Sequence, residues 1–464
     1  MIKKIQGKWW LPDKPELKIY GILKIYHDIF SELELFGLLK DKKMSAIFIE
    51  PTIILGQSIK GEEITLYKCT EYTSGNDRSL FHVNSVFIGL HFINEEQIRF
   101  KNISVAYLYL DDWFWQGNVF EIKDFPNDEK HISYKPNSSI QVDLSDIGLD
   151  YKIQIKTGLE GNANYGPRSK IKFEQKTFVE ITTTNSNMKS FNDFNVIIIL
   201  LQDFFSFGIM KPAYPILIRG ETYSIKENQN YKTYSSLVEI YYLMRGTPNL
   251  NENLNIFHML FCFKDISTKL ELVLKKWFEQ KNSLSAVFQL YFASLYSPSL
   301  YIEYKFLSLL QAIEAYCRIR YKGKYISEGE YELIFDKIFK SVIENTKNDL
   351  QRSLRNRLKY GNELSLKTRI CRLFKEDIEI TKLFIKNKEN FIDKVVDTRN
   401  YLIHQDESLK ELSFKVEELF SVNIKLKIMI EKCLLKEIGF NSKEIKALLS
   451  RNSLYKYNYK GFVY

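Results

Sequence analysis

From about residue 254 the hydrophobic period of this chain becomes helical almost throughout, and that change dictates two unlike halves. Up to about residue 185, apolar residues alternate with polar ones in short runs. Leu17, Ile19, Gly21, Leu23 and Ile25 form one run, and Leu33, Leu35 and Gly37 another. Similar runs follow at 46–58, 63–72, 81–93, 98–110, 140–144, 151–156 and 170–182. Turn-forming clusters such as Gly75-Asn76-Asp77 and Pro126-Asn127-Asp128 separate them. Period-two runs between such clusters predict strands, and many short strands predict a sandwich or barrel. Gly158, Gly161 and Gly166 read as a long hairpin connection, since no Lys-Ser/Thr follows to make a phosphate loop. Residues 187–208 then read as a helix, and 214–219 and 237–243 as strands.

Beyond residue 254 the period is helical. Leu270, Leu272, Leu274 and Trp277 share one helix. Ile302, Phe306, Leu309, Leu310, Ile313, Tyr316 and Cys317 form an i, i+3/i+4 stripe on the next long one. Further helices are predicted at 328–346, 349–358, 364–374, 376–403, 407–435 and 441–450, with a break at Gly361-Asn362. No fixed repeat is visible. At 464 residues the chain is long enough for two or three domains. The expected class is a multidomain α+β protein. Its segments are a β-rich sandwich or barrel-like domain (1–185), a small α/β extension (186–253), connecting helices (254–295) and an all-α bundle (296–464).

Charge is placed unevenly. Lysine and arginine balance aspartate and glutamate over residues 1–290, so residues 291–464 carry the whole net charge of +9. Nine of the fourteen arginines follow residue 315, most densely Arg352, Arg355 and Arg357, then Arg369 and Arg372. A basic third beside a neutral remainder suits a polyanion such as RNA, and equally a solvated helix face. The five scattered cysteines, Cys69, Cys262, Cys317, Cys371 and Cys433, form no Cys-x-x-Cys pair and have no histidine at ligand spacing. They predict no metal site and a reducing compartment. The start, Met1-Ile2-Lys3-Lys4, is not a secretory leader, and the most apolar run, 196–201, is too short to span a bilayer. A cytoplasmic protein without membrane contact is expected. Trp9-Trp10 and Trp113 with Trp115 suit an aromatic core better than a ligand platform. His27, His82, His91, His131 and His258 stand apart from one another and receive no chemical role.

One segment carries chemistry: Arg399-Asn400-Tyr401-Leu402-Ile403-His404. The spacing alone is weak. With fourteen arginines and six histidines, an Arg-x4–6-His pair arises by chance on the order of half a time. On a helix, Phe391, Ile392, Val395, Val396, Leu402 and Ile403 share an apolar arc with Arg399 in its middle. Asp393, Asp397, Asn400 and His404 form a polar stripe on its flank. Asn400 and His404 are four apart and adjacent, whereas Arg399 and His404 are about 140° apart on a straight helix. They meet if the helix ends near Leu402, if the arginine arm reaches round, or if a second subunit completes the site. An arginine paired with a helical acid and a surface histidine at a helix end is the plainer reading.

Both halves resemble the ApeA family of HEPN-domain anti-phage defence proteins. The opening Gly7-Lys8-Trp9-Trp10-Leu11-Pro12 with Pro15, then Gly21 and Leu23, is similar to the start of the ApeA N-terminal domain, as is Leu110-Asp111-Asp112-Trp113. Phe306-Leu307-Ser308-Leu309-Leu310-Gln311-Ala312-Ile313-Glu314 looks like the first long helix of the family's HEPN domain. Arg357-Leu358, Tyr360, Asn362-Glu363, Ser365-Leu366 and Arg369 resemble its middle segment. Arg399-Asn400 with His404 fits its ribonuclease motif. The resemblance covers nearly the whole chain in order. It implies a helical bundle that dimerises and cuts RNA without metal or other cofactor, with Arg399, Asn400 and His404 catalytic. It also implies an N-terminal half that senses a phage-derived trigger or restrains the dimer.

The chemistry is coherent with those residues. RNA supplies its own 2′-hydroxyl nucleophile. Histidine takes and returns protons near neutrality, and arginine holds a phosphate through two bonds. Two other readings remain. A non-catalytic HEPN module would bind RNA or nucleotide, or only dimerise. A carbohydrate-binding protein would fit the β-rich half and leave the basic third unexplained. Of the arginine cluster, Arg357 and Arg369 also suit a structural role, bridging to acids such as Glu314 or Glu363.

Overall fold

The computed structural model describes residues 2–39, 52–75, 77–117, 119–124, 130–164, 170–185, 187–226, 232–244, 246, 254–321 and 323–459. Asn76, Gly166, the Pro126-Asn127-Asp128 turn and residues 46–51 lie outside them. The chain divides into two compact units, Met1–Lys275 and Lys276–Tyr464.

The first unit begins with β1 (Lys3–Trp10), β2 (Ile19–Ile25), β3 (Ser31–Leu35), β4 (Thr52–Ser58), β5 (Glu63–Ser74) and β6 (Ser79–Ile88). These strands close on themselves. β1 pairs with β2 and β4, β3 with β2 and β6, and β5 with β4 and β6, all antiparallel. The result is a six-stranded barrel. The period-two alternation points Ile5, Trp9, Leu23, Ile25, Leu33, Leu35, Ile64 and Leu66 inward, all buried. Trp9 lies across the backbone of Gly56, where any Cβ would overlap its ring.

The sheet then continues outward. After β7 (Arg99–Phe100) come β8 (Asn102–Tyr107), the single turn α1 (Leu110–Trp113) and the hairpin β9 (Phe120–Asp124) with β10 (Lys130–Tyr134). They are followed by β11 (Ile140–Asp143), β12 (Tyr151–Asn164), β13 (Lys170–Thr183), β14 (Lys189–Ser190), α2 (Phe191–Ile209), β15 (Pro215–Lys226) and β16 (Lys232–Tyr242). β16 joins β6, and the order runs on through β15, β8, β13 and β12 to β11. The strands near 214–243 therefore belong to the same sheet as those before residue 185. Gly158 and Gly161 are not loop residues: they sit inside β12, opposite Lys176 and Phe173.

Trp9, Trp10 and Trp113 are core residues, while Trp115 is exposed. The Leu110-Asp111-Asp112-Trp113 phrase has a packing explanation. Leu110 and Trp113 are buried, Trp113 Nε1 donates to Phe261 O at 3.1 Å, and Asp111 accepts the Thr177 N–H at 2.6 Å. α2 is the only described helix long and apolar enough to cross a membrane, yet 67% of its most apolar window is buried in the unit. Ser190 and Asp193 form a capping box at its start, and Tyr107 donates to its Ile198 carbonyl at 2.9 Å.

The all-α part follows α3 (Phe263–Ile266) and α4 (Leu270–Ser283). It comprises α5 (Ser285–Tyr296), α6 (Ile302–Arg320), α7 (Glu328–Asn345), α8 (Asn348–Lys359), α9 (Leu366–Glu376), α10 (Ile378–Phe384), α11 (Lys388–His404), α12 (Val416–Glu437), α13 (Ser442–Arg451) and α14 (Ser453–Tyr459). The stripe on α6 buries Phe306, Leu309, Leu310, Ile313, Tyr316 and Cys317. Two expected helices are shorter than their periods suggested. The one at 376–403 is broken at residues 385–387, where Asn387 caps α11 by accepting the Asn390 N–H at 3.2 Å. The one at 407–435 starts only at Val416, because Asp406 folds the preceding residues into a 3-10 turn. α14 had no counterpart in the sequence reading.

Candidate functional site

α11 fixes the geometry of the motif. Phe391, Ile392, Val395 and Thr398 face inward, and Arg399 lies half-buried beside them. The helix runs through His404 and stops at Gln405, a non-glycine residue in the left-handed region with φ 54°. The helix therefore does not end near Leu402, and helix termination does not bring Arg399 to His404. The described arginine contact is instead with its neighbour on the helix. Arg399 Nη1 donates to Asn400 Oδ1 at 3.1 Å, turning the guanidinium from the apolar arc toward the polar stripe. Asn400 stands one turn before His404 on that stripe. Asn400 is half-buried and His404 exposed.

The stripe is held from both ends. Upstream, Asp393 pairs with Lys367 of α9. That bond first, then the nearby charges including Asp397, hold the Lys367 ammonium above its ordinary value. Downstream, Asp406 Oδ1 accepts Ser408 N at 3.0 Å and Ser408 Oγ at 2.6 Å. These bonds hold the Asp406 carboxyl below its ordinary value, and the His404 charge adds to the effect. Thr398 ties the intervening loop to the helix. The residue is 1% exposed, and its Oγ1 accepts Phe414 N–H at 2.8 Å and donates to Lys394 O at 2.6 Å. Sequence reasoning missed Thr398. The available signal was a hydroxyl residue within a buried arc, next to the arginine.

The five arginines do not form one patch. Arg352, Arg355 and Arg357 are exposed on α8. α8 packs against α7, and neither helix has a buried residue. Arg352 Nη1 is 3.7 Å from Asp349, and the Arg355 guanidinium lies 5.2 Å from the Phe339 ring. On α9, Arg372 is exposed over Tyr321. Arg369 is 4% exposed, its Nε donating to Leu364 O at 2.9 Å, because α9 turns that position into the bundle. Little of Arg369 is open to solvent, and it borders a recess shared with Arg318, Lys324 and Glu363. The bridge to Glu314 and Glu363 is made by Arg318, at 3.1 and 2.8 Å.

Among the described residues, no three His, Cys, Asp or Glu side chains converge. All five cysteines are free thiols. The family model described as ApeA N-terminal domain 1 matches residues 4–277, and that described as Apea-like HEPN matches residues 307–444. The chain belongs to the ApeA family. The first match ends two residues past the boundary between the compact units, and the second spans α7 to α12 whole. α11 and its motif thus lie inside the HEPN domain of an ApeA-family chain, a domain family with ribonuclease activity in abortive infection. No curated protein and no solved structure matches the chain.

Proposed function

We propose that this ApeA-family chain is a metal-independent endoribonuclease of anti-phage defence, acting in the cytoplasm, with Arg399, Asn400 and His404 as its catalytic residues. The observation that carries the reading is the bond from Arg399 Nη1 to Asn400 Oδ1. It turns a cation toward the stripe that exposes the only imidazole within residues 307–444, the HEPN match. A neutral His404 takes the proton of the RNA 2′-hydroxyl, and a protonated one returns a proton to the departing 5′-oxygen. Arg399 stabilises charge growing on the phosphate oxygens, and Asn400 orders the two side chains.

A homodimer through the HEPN domain completes the site. Within one copy Arg399 and His404 project about 140° apart, so two copies of α11 face to face supply both groups to one phosphate. Arg352, Arg355, Arg357 and Arg372 serve as phosphate contacts along the RNA. The N-terminal half restrains the dimer until a phage-derived trigger binds, and release leads to growth arrest.

The test is end-mapping of RNA treated with purified wild type, Arg399→Ala and His404→Ala. Each variant should lose about a hundredfold or more in cleavage with its melting unchanged. Wild-type rates in either would refute the assignment and leave a binding-only HEPN module. An active monomer by light scattering would refute the composite site.

A further inference from the structure

A cleft of about 330 Å3 opens between α5, the turn preceding α6, and α12. Its walls are mostly apolar, with Leu309 and Ile424 inside and exposed Phe420 at the rim. No Asp or Glu lines it, but Lys305 and Lys427 do. Lys305 Nζ donates to Pro298 O at 2.8 Å and has no carboxylate partner among the described residues. Lys427 Nζ is 3.6 Å from Glu431, a fully buried carboxylate that also accepts the hydroxyls of Tyr291, at 2.7 Å, and Tyr455. Glu431 is thus shared among three donors and lies outside the lining, which carries two lysines and no acid.

Asn423 adds a directional group. It is 8% exposed and lines the cleft. Its Nδ2 donates to Ile302 O at 2.9 Å, which fixes the amide orientation. Its Oδ1 has no hydrogen-bond partner among the described residues. A buried acceptor left unpaired is costly and rare. The cleft is also separate from the motif. Lys394–Glu418 and Lys425 over Phe391 place α11 on one face of α12. Phe420, Asn423 and Lys427 project from roughly the opposite face.

The geometry points to a binding site for a small amphipathic acid that carries an N–H or O–H donor. Its apolar body sits between Leu309 and Ile424, its donor meets Asn423 Oδ1, and its acid head meets Lys305 and Lys427. A volume in the range of small-molecule pockets, apolar walls and a few convergent polar groups are the ordinary attributes of such a site. The inference stands whether or not the chain cuts RNA.

Indole-3-acetate has all three features and is the probe. Titration calorimetry on the full chain should give saturable binding. Naphthalene-1-acetate, which lacks the N–H, should bind about tenfold more weakly, as expected for one buried hydrogen bond. Indole, which lacks the acid, should be insensitive to Lys305→Gln, while both acids weaken. Asn423→Leu should erase the preference for indole-3-acetate over its naphthalene analogue. Ile424→Trp should fill the cleft and abolish binding. Melting of each variant reports its fold, and Lys305→Gln, which touches only a loop carbonyl, keeps the test open if a core variant unfolds. No saturable binding by any probe would overturn the site and leave water as the Asn423 partner. So would unchanged indole-3-acetate binding in Lys305→Gln or a folded Ile424→Trp.

Discussion

Thr398→Val isolates one hydroxyl. Valine keeps the shape of the side chain and its fit in a site 1% exposed. What is lost is Oγ1, which accepts Phe414 N–H at 2.8 Å. The Lys394 carbonyl it also contacts remains within the helix ladder. Leaving one partly buried N–H unpaired costs about 1–3 kcal/mol, and the added apolar burial returns a fraction of it. A net loss of about 1–2 kcal/mol lowers Tm by roughly 3–6 °C in a unit of this size. Thermal melting by circular dichroism measures it. Thr398→Ser, which keeps the oxygen, should recover most of the loss. Under the proposed function a second effect follows. The loop from Gln405 to Phe414 starts at His404, so releasing its far end should slow RNA cleavage beyond the fraction unfolded. Tm of Thr398→Val within about 1 °C of wild type, or equal Tm for the valine and serine variants, would refute the reasoning.

The arginines separate by burial. Pairwise alanine changes among Arg352, Arg355 and Arg357 should leave melting nearly unchanged and lower the salt slope of RNA binding by about 0.7–0.9 per lost contact, whereas Arg369→Met should melt early and keep the wild-type slope. Early melting with an unaltered slope in every α8 variant would remove the RNA contact. The Tyr325 phenol is pushed down to about 8, chiefly by bonds to Ser365 and Thr368 at the start of α9. Because the folded value lies below the unfolded one, the linked stability is complete above about pH 10, fades as pH falls through 8, and is absent at neutrality. Ultraviolet difference titration should show one tyrosine ionising near pH 8 that Tyr325→Phe removes; a titration with no early phenolate counts against it. Cleavage should survive excess chelator and leave 2′,3′-cyclic phosphate ends; 3′-hydroxyl products would overturn attack by the 2′-hydroxyl.

Period and turn chemistry locate strands and helices because they depend on near neighbours. Closure of the barrel does not. Sandwich, barrel and open sheet share the same alternation, and the pairings of β1 with β4 and β3 with β6 join strands distant in sequence. Gly56 beneath Trp9 is meaningful only once those strands meet. The helix expected at 376–403 fails for a related reason. Its apolar period persists across residues 385–387, while the competing Asn387 cap is a side-chain choice that periodicity cannot rank. Arg369 and Arg372 are three residues apart and chemically identical in sequence. Only the packing of α9 buries one and exposes the other. At the motif, helical period alone places Arg399 on the apolar arc and His404 on the polar flank. It does not report the bond to Asn400, the left-handed stop at Gln405, or the hold of Thr398 on Phe414.

Those three features together set what an assembly built on α11 must do. The stop at Gln405 keeps His404 helical, so the imidazole cannot fold back onto its own arginine without unwinding the last turn. The Asn400 bond holds the guanidinium at the border between the arc and the stripe. A half-buried arginine there has one hydrogen-bonded partner among the described residues and several donors left to satisfy. Under the proposed function, a phosphate and a facing copy of the same helix would satisfy them at once. The facing copy would also cover Ile403, which is 49% exposed beside the histidine. On this argument the separation of about 140° within one helix is no obstacle to catalysis. Under the proposed function it is the reason a single copy would be inert, and the reason control over pairing of the HEPN domains would control RNA cleavage.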